Sequence, residues 1–261
     1  MILDEILAHK REEVAARRLR RPAFDLASAP APRSFGCALR QPGVSVIAEF
    51  KRRSPSGGEL RPGAAAADVA AAYAANGAVA LSILTDARYF GGRDDDLVAA
   101  RSASGLPVLR KDFVVDEYQL YEARFLGADA VLLIVRALSD HELAKFIALA
   151  VGLDMDALVE THSADEVHRA LAAGATIIGA NNRDLDTLVT DVSLAPRLRG
   201  LVPTDHLFVA ESGVSSSEQI TVLADAGVDA VLIGETLLRA TDPGARLSEL
   251  VAAGKRRAVG A

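Results

Sequence analysis

The residues best suited to chemistry follow an apolar run between positions 44 and 50. Glu49 and Lys51 lie two positions apart, and the turn-forming segment 54–58 (SPSGG) comes shortly after them. Because side chains alternate across a strand, Glu49 and Lys51 are expected to share one face at its end. A carboxylate and an ammonium at the end of a buried strand are costly unless they handle a charged ligand. The spacing therefore predicts an enzyme site with acid–base groups.

Lysine is scarce in this chain and stands where it could act as an acid. Lysine and arginine together number 29, and only five are lysine, of which Lys51 and Lys111 each end a predicted strand. An ammonium can lose its proton whereas a guanidinium stays protonated, so these lysines favour acid–base work. Burial and neighbouring cations would lower the pKa of Lys111 towards that of a general acid. The alternative is an ion pair at the strand end, which explains one such lysine better than two.

These groups must be positioned by alternating strands and helices. Glycines at positions 77, 127, 174 and 227 each separate a helix-like segment from an apolar run. Their spacing of roughly 50 residues fits two βα units per interval. Near-continuous apolar strands indicate a parallel sheet buried on both faces, and no G-x-G-x-x-G follows the first strand. The sequence therefore predicts an α/β fold, a single (β/α)8 TIM barrel, in preference to an open doubly wound sheet.

The predicted elements follow from this pattern. The strands are predicted at 44–50, 78–83, 106–110, 128–134, 156–161, 175–180, 206–211 and 228–234. The helices are predicted at 65–76, 95–104, 116–126, 140–152, 164–173, 192–200, 215–226 and 243–253. Residues 1–43 are predicted to form an N-terminal helical extension that packs on the barrel, and residues 44–261 the catalytic barrel. In the extension Ile2, Leu3, Ile6, Leu7 and Val14 mark one face of an amphipathic helix.

The ends of the seventh and eighth predicted strands predict a phosphate site, and the end of the fifth predicts a general base. Ser212-Gly213 and Gly234-Glu235 follow the seventh and eighth predicted strands, where barrels of this kind often bind phosphate through loop N–H groups. Glu160 ends the fifth strand, where a carboxylate suits a general base or, alternatively, a partner for Lys111 or Lys51. Asp112, Asp116, Asp184 and Asp186 are expected to cap helices or turns.

Composition and charge narrow the possible partners. The formal net charge of -6 argues against nucleic acid, whose binding needs an excess of cations. The single cysteine, Cys37, excludes an internal disulfide and a thiolate metal cluster, and we expect it to be a small buried residue. The histidines show no pair at metal-ligand spacing, so no metal is expected. The absence of a signal-peptide pattern and of a long apolar run predicts a cytoplasmic protein without a membrane partner.

As a set, the strand-end motifs resemble the indole-3-glycerol phosphate synthase family of tryptophan biosynthesis. The likeness runs from the first predicted strand to the eighth, and the amphipathic N-terminal arm is also typical of that family. The main matching segments are 47–56 (IAEFKRRSPS), 82–86 (SILTD), 109–113 (LRKDF), 158–160 (LVE), 181–185 (NNRDL), 209–213 (VAESG) and 232–235 (LIGE).

The resemblance implies a reaction without a cofactor. In it, 1-(2-carboxyphenylamino)-1-deoxyribulose 5-phosphate closes a ring, loses carbon dioxide and then loses water to give indole-3-glycerol phosphate. The resemblance implies that Lys111 is the general acid, that Glu160 takes part in the dehydration, and that Lys51 and Glu49 assist at the same centre. The other predicted substrate-binding residues are Arg53, Ser54, Phe90, Phe113, Leu132, Asn181, Arg183, Leu185 and Glu211. The predicted phosphate site comprises Lys51, Ser212, Gly213, Gly234 and Glu235, and the family suggests a monomer.

Two other functions remain open on the sequence. Another phosphate-binding barrel, such as a phosphoribosyl-sugar isomerase, would favour a carboxylate/thiol or two-aspartate pair, whereas this chain offers lysine and glutamate. A non-catalytic barrel that binds a phosphorylated ligand would keep the phosphate turns but replace Lys111 or Glu160 by inert residues. Both residues are present, which favours an enzyme.

Overall fold

The computed structural model describes residues 2–54, 57–184 and 186–255, apart from the Ile2 side chain. Its main sheet is formed by β1 Ser45–Phe50, β2 Ala80–Leu84, β3 Val108–Lys111, β4 Ala130–Ile134, β5 Asp156–Thr161, β6 Ile177–Asn181, β7 Leu207–Glu211 and β8 Ala230–Ile233. The strands form a closed barrel in the order β1-β8-β7-β6-β5-β4-β3-β2. All neighbours are parallel, and β1 pairs with both β8 and β2. The predicted (β/α)8 TIM barrel with an N-terminal helical extension is confirmed.

Two helices precede the first strand, and the others follow the strands in turn along the chain. The helices are α1 Ile2–Arg20, α2 Phe35–Leu39, α3 Ala66–Ala75, α4 Ala87–Phe90, α5 Asp94–Ser104, α6 Tyr118–Leu126, α7 Asp140–Gly152, α8 Ala164–Ala172, α9 Leu194–Arg199, α10 Ser217–Asp225, α11 Glu235–Leu238 and α12 Pro243–Lys255. The predicted bounds hold for α7 and β5 and differ by a few residues for the other predicted helices and strands.

The strands that follow the four helix-ending glycines begin two residues later than predicted. Gly127 and Gly227 take a left-handed backbone conformation, and the N–H group of the next residue still bonds to the helix. Ala128 N donates to the Ala123 carbonyl at 2.9 Å, and Val228 N donates to the Leu223 carbonyl at 3.0 Å. The residue after each of these glycines is therefore part of the helix end and not of the strand.

Aliphatic side chains fill the barrel interior in layers. Ile47, Leu109, Leu158 and Val209 come from β1, β3, β5 and β7, and all four are fully buried. A layer of four side chains from alternate strands is characteristic of this fold. Because strand side chains repeat their direction every second residue, the next inward layer from the same strands falls at positions 49, 111, 160 and 211.

The N-terminal extension contacts both ends of the barrel. Helix α2 inserts Phe35 and Leu39 into the interior at the rim where the strands begin, and Gly36 N donates to Asp156 Oδ2 at 2.8 Å. Helix α1 lies at the opposite rim, where Leu3 and Ile6 pack with the barrel interior. The division of the chain between residues 43 and 44 stays a prediction.

Cys37 is exposed, so the prediction of a buried cysteine is wrong. The buried residues of α2, Phe35 and Leu39, are four positions apart and share one face of the helix. Cys37 lies midway between them in sequence and therefore points to the other side.

Replacing Phe35 by Ala is expected to lower the free energy of unfolding by about 3–5 kcal/mol, because a buried ring is lost and a cavity remains. Leu19→Ala is the control, since Leu19 is 87% exposed and its loss should change the value by no more than about 0.5 kcal/mol. Urea unfolding followed by circular dichroism measures both. Equal effects of the two changes would contradict the position of Phe35 inside the barrel.

Candidate active site

Four charged side chains form a layer at the end of the barrel where the strands finish. Glu49, Lys111, Glu160 and Glu211 come from β1, β3, β5 and β7, two positions beyond the aliphatic layer. The alternation of strand side chains turns all four inward. Closure of the barrel then brings residues that are far apart in sequence into one acid–base cluster.

Lys111 lies between two carboxylates of this layer. Its Nζ is 2.9 Å from Glu160 Oε2 and 3.2 Å from Glu211 Oε2. Both glutamates are only 1% exposed. A buried charge without a partner is very costly, so the ammonium and the two carboxylates depend on one another. The alternative interpretation of Lys111 as an ion-pair partner is thus also correct, and it is compatible with a chemical role.

Glu49 forms a second ion pair beside the first. Lys51 Nζ is 2.6 Å from Glu49 Oε1, so the predicted shared face of these two residues is confirmed. The other carboxylate oxygen, Glu49 Oε2, accepts a hydrogen bond from Ser82 Oγ at 3.2 Å. Ser82 is on the neighbouring strand β2, and it fixes the orientation of the carboxylate.

Two glycines, one within β6 and one directly after β8, make room for the side chains of the charged layer. A Cβ atom on Gly179 would lie 2.2 Å from Glu211 Oε1, and one on Gly234 would lie 2.5 Å from Glu49 Oε1. Such distances are far below van der Waals contact. The carboxylates of Glu211 and Glu49 can therefore take these positions only because the facing residues have no side chain.

The layer raises the pKa of Lys111. Burial alone would lower it, but the negative charges of Glu160, Glu211 and Glu49 reverse that effect. The expectation of a lowered lysine pKa is therefore wrong for the free protein, because carboxylates and not cations surround the ammonium. Lys111 is protonated throughout the neutral pH range.

The pKa values of Glu160 and Glu211 shift in opposite directions although both carboxylates contact Lys111. Burial tends to raise the pKa of Glu160, but Lys111, His162 and a hydrogen bond from Asn181 lower it overall. Burial raises the pKa of Glu211 to about 7; Lys111 opposes this shift and the charge of Glu160 adds to it. The pair thus combines one ionised carboxylate with one that can hold a proton near neutral pH.

A cavity of about 390 Å³ opens above the charged layer. On one side the rings of Phe90 and Phe113 lie with their centroids 6.1 Å apart, next to Leu132, which suits a flat apolar group. The predicted site residues that line the cavity are Glu49, Lys51, Ser54, Phe90, Lys111, Phe113, Leu132, Glu160, Asn181, Arg183, Glu211, Ser212, Gly213, Gly234 and Glu235.

The turn after β7 has an unusual backbone at the cavity wall. Ser212 has a φ of 64° and Gly213 a φ of 80°, so both are left-handed, which is costly for serine. The Ser212 carbonyl accepts a hydrogen bond from Asn182 Nδ2 at 2.9 Å, which helps to hold this conformation. A Cβ atom on Gly213 would lie 2.5 Å from Thr190 Cγ2, so the turn also requires glycine for space.

One of the predicted site residues that the structure describes, Arg53, does not line the cavity. Arg53 is exposed and belongs to a short antiparallel ribbon, Arg53–Ser54 with Gly58–Glu59. Its guanidinium donates to the carbonyls of Ala87 and Arg88, so it faces α4 and does not line the cavity. Leu185 lies outside the described residues.

Several other residues that line the cavity could not be identified directly from the sequence. Leu3 and Ile6 of α1 line the cavity, but their amphipathic pattern marks a buried face without saying what that face covers. Arg239 also lines it, and its Nε is 2.8 Å from Glu235 Oε1. The spacing of four residues between Glu235 and Arg239 on one helical turn is a signal that could have identified this pair.

Of the four aspartates expected to be caps, Asp116 and Asp184 do cap local N–H groups. Asp186 forms an ion pair with Arg136 at 3.2 Å, and its capping role stays a prediction. Asp112 does accept from the N–H of Phe113, but it is buried and is also 2.9 Å from Lys10 Nζ. An aspartate with a buried cation from α1 is more than a cap.

Neither a metal group nor a membrane helix is found within residues 2–54, 57–184 and 186–255. No three His, Cys, Asp or Glu side chains of this part of the chain are arranged to hold a metal ion. Among the helices described, none combines the length and the apolar character needed to cross a membrane.

The fold and the cavity are those of a (β/α)8 barrel with acid–base side chains at the carboxyl ends of its strands, which is where enzymes of this fold have their active sites. Comparison with known proteins identifies the family. The family model for indole-3-glycerol phosphate synthase matches residues 3–250. This chain belongs to the indole-3-glycerol phosphate synthase family.

Individual members of the family are similar in sequence to this chain over almost their whole length. Indole-3-glycerol phosphate synthase 2 of Streptomyces coelicolor is 50% identical over 254 residues, which cover 96% of this chain and 98% of the relative. The indole-3-glycerol phosphate synthase of Acidithiobacillus ferrooxidans is 48% identical over 257 residues, covering 95% and 98%. Among solved structures, 3-hexulose-6-phosphate synthase from Salmonella typhimurium has a TM-score of 0.65 at 13% identity, over 80% of this chain and 98% of that one. That likeness shows the barrel fold alone.

The raised pKa of Glu211 predicts a pH-dependent contribution to stability. Because its pKa rises from 4.5 to about 7, the folded protein binds this proton more tightly than the unfolded chain. The stabilisation that protonated Glu211 contributes to the folded protein is therefore full below about pH 4.5 and is lost as the pH rises through about 7. Glu211→Gln removes this titration, so the free energy of unfolding of the variant should improve relative to the parent between about pH 5 and pH 9.

Urea unfolding of both proteins at several pH values in that range measures the difference. Glu249→Gln, at an exposed position on α12, is the matched surface control. A difference between parent and Glu211→Gln that stays constant with pH would contradict the raised pKa.

Proposed function

We propose how the residues around the cavity share the work of indole-3-glycerol phosphate synthesis. Members of the family are carboxy-lyases, and this chain converts 1-(2-carboxyphenylamino)-1-deoxyribulose 5-phosphate to indole-3-glycerol phosphate with loss of carbon dioxide and water. The proposal rests mainly on one observation: the Lys111 ammonium lies between Glu160 and Glu211 directly below the cavity.

The substrate has an aromatic acid at one end and a phosphate at the other. The residues that line the cavity are aromatic and aliphatic in one part and small or polar in another. The aromatic ring is proposed to lie between Phe90, Phe113 and Leu132, with its carboxylate near Asn181 and Arg183. Aromatic side chains favour such stacking with a flat ring. Leu185 is also proposed to contact the ring, on the family resemblance alone.

The phosphate end is proposed to lie at the turns that follow β7 and β8. Ser212, Gly213, Gly234 and the backbone of Glu235 line the cavity there, together with Lys51. The absence of side chains on the two glycines lets an anion approach the backbone closely. The Glu235 side chain is engaged with Arg239 at 2.8 Å and Arg183 at 3.7 Å, so its carboxylate is held away from an anion by cations.

Ring closure needs a proton donor at the ribulose carbonyl. As the aromatic carbon attacks, the carbonyl oxygen becomes an alkoxide, which is a far stronger base than an amine. Lys111 is proposed to donate the proton, since its raised pKa keeps it protonated in the free enzyme. Carbon dioxide then leaves from the ring carbon that formed the new bond, and aromaticity is restored.

Dehydration needs both a donor and an acceptor. The hydroxyl leaves as water with a proton that the Lys51 ammonium is proposed to donate, and the new double bond forms as the neighbouring carbon loses a proton. Glu160 is proposed to accept that proton, because its lowered pKa keeps it ionised beside Lys111. Glu49 and Lys51 are proposed to orient the substrate hydroxyls and the phosphate.

The rival barrel functions are less well supported by the geometry. The carboxylate/thiol pair of a sugar isomerase would require Cys37 near the cavity, whereas Cys37 is exposed on α2 at the opposite rim. A purely ligand-binding barrel gives no reason to bury an ammonium and three glutamates at the bottom of the cavity, where burial is costly.

The remaining expectations concern the state of the protein in the cell. A cytoplasmic monomer stays our prediction, on the family resemblance and the sequence. Light scattering coupled to size-exclusion chromatography should give the mass of a single chain. A mass of two chains, unchanged on dilution, would contradict it.

Lys111→Ala is expected to lower turnover by about 10²–10⁴-fold, because the proton donor for ring closure is lost. The assay adds 1-(2-carboxyphenylamino)-1-deoxyribulose 5-phosphate and follows the appearance of indole fluorescence. Binding of inorganic phosphate, measured by calorimetry, should be nearly unchanged, since Lys111 is not among the residues proposed to hold the phosphate.

Lys145→Ala is the matched control for this experiment. Lys145 is an exposed lysine on α7 that pairs with Glu117 at 2.9 Å, away from the cavity. Its replacement should leave turnover at the parental level. Full turnover in Lys111→Ala would refute the acid role of Lys111.

A further inference from the structure

A third lysine, Lys10, is as deeply buried as the catalytic candidates but has no part in the chemistry proposed above. It lies on α1 and is 1% exposed. Its Nζ is 2.9 Å from a carboxylate oxygen of each of Glu13, Asp86 and Asp112. Three carboxylates around one ammonium compensate its burial fully, so this is a specifically built contact between α1 and the barrel.

Lys10 belongs to a closed ring of ion pairs. On α1 the side chains of Lys10, Glu13 and Arg17 follow one another at spacings of three and four and share one face. Arg17 reaches Glu13 at 3.0 Å, Asp94 at 2.9 Å and Glu122 at 3.1 Å. The barrel side completes the ring through Arg110, which lies 2.7 Å from Glu122, 3.2 Å from Asp94 and 3.7 Å from Asp112.

The ring meets the barrel at the two residues that flank Lys111. Arg110 precedes Lys111 in β3, and Asp112 follows it, and both are almost fully buried. Their side chains are therefore held from α1 while the side chain between them points to Glu160 and Glu211. Because the backbone of β3 is fixed on both sides of Lys111, the ammonium has little freedom to leave its position.

The same helix also contributes to the cavity wall. Leu3 and Ile6, on the face of α1 that carries Lys10, line the cavity. Thr85 Oγ1 donates to Asp112 at 2.6 Å and accepts from Arg110 Nε at 3.1 Å, so the end of β2 is tied into the same arrangement.

We propose that Lys10 is a positioning residue for the reaction: through Asp112 it holds the end of β3 so that Lys111 is correctly placed towards the substrate carbonyl. The inference rests on the acid role proposed for Lys111. It differs from a purely stabilising role, which would leave the turnover of the folded protein unchanged.

Lys10→Met keeps the length of the side chain and removes its charge. The variant is expected to lower kcat by about 10-fold to 100-fold with little change in KM, since a small misplacement of a catalytic group has that effect. Lys10→Arg, which keeps the charge, should recover most of the loss. Indole fluorescence with the carboxyphenylamino-ribulose phosphate is the assay, at a temperature where circular dichroism shows every variant folded.

Two further variants separate positioning from stability. Asp156→Asn weakens the contact of Asp156 with α2 at the opposite rim, so it should lower the melting temperature but leave kcat at the parental level. Asp112→Asn removes the proposed intermediary, so adding Lys10→Met to it should lower kcat by less than about 2-fold more. If Lys10→Met does not fold, Asp112→Asn alone must lower kcat, and parental turnover in it overturns the proposal.

Several outcomes would overturn the inference. They are an unchanged kcat in Lys10→Met, an effect on KM alone, an equal loss in Asp156→Asn, or a full additional loss in the Asp112→Asn background. Lys111→Ala, measured in parallel, distinguishes the acid role of Lys111 from the positioning role of Lys10. If Lys111→Ala retains turnover the acid role fails, whereas if only Lys10→Met retains it the positioning role alone is wrong.

Discussion

The pairing of the Lys111 ammonium with Glu160 and Glu211 is the interaction on which the rest of the site depends. Three of the four members of the charged layer are carboxylates, and they lie directly above an aliphatic interior where water cannot solvate them. Without the cation at 2.9 and 3.2 Å, their repulsion and their desolvation would add together. The fold meets this requirement by delivering the cation and the carboxylates from alternate strands at one height in the barrel.

Much of this layer could be predicted from strand periodicity. In each of four strands an aliphatic residue is followed two positions later by a charged one, and the pairs are Ile47/Glu49, Leu109/Lys111, Leu158/Glu160 and Val209/Glu211. The pattern does not say which charged groups meet across the barrel. The direction of the Lys111 pKa was therefore predicted wrongly, because it depends on the distances to Glu160 and Glu211 and not on the basic residues beside it in sequence.

Residues whose partners are remote in sequence were the hardest to predict. Arg53 follows the first strand among basic residues, yet its guanidinium turns to the carbonyls of α4. Lys10 lies on a helix with the pattern of an ordinary amphipathic surface helix, yet it is buried against Asp86 and Asp112. In both cases the positive charge follows from the residue type. Which carboxylate or carbonyl the side chain contacts depends on the packing of α1 and of the loops.

The unequal pKa values of the two glutamates bear on how a ligand reaches Lys111. Lys111 has three N–H donors, and two of them are engaged by Glu160 and Glu211, so an oxygen that is to receive a proton can approach the third. Glu211, with its pKa raised to about 7, loses its attraction for Lys111 when it takes up a proton. Glu160 stays ionised and keeps the ammonium in place. A substrate that carries negative charge favours protonation of Glu211, because a further anion in the cavity raises the free energy of its ionised form. Approach of the anionic substrate and release of one side of Lys111 are therefore coupled by the electrostatics of the layer itself.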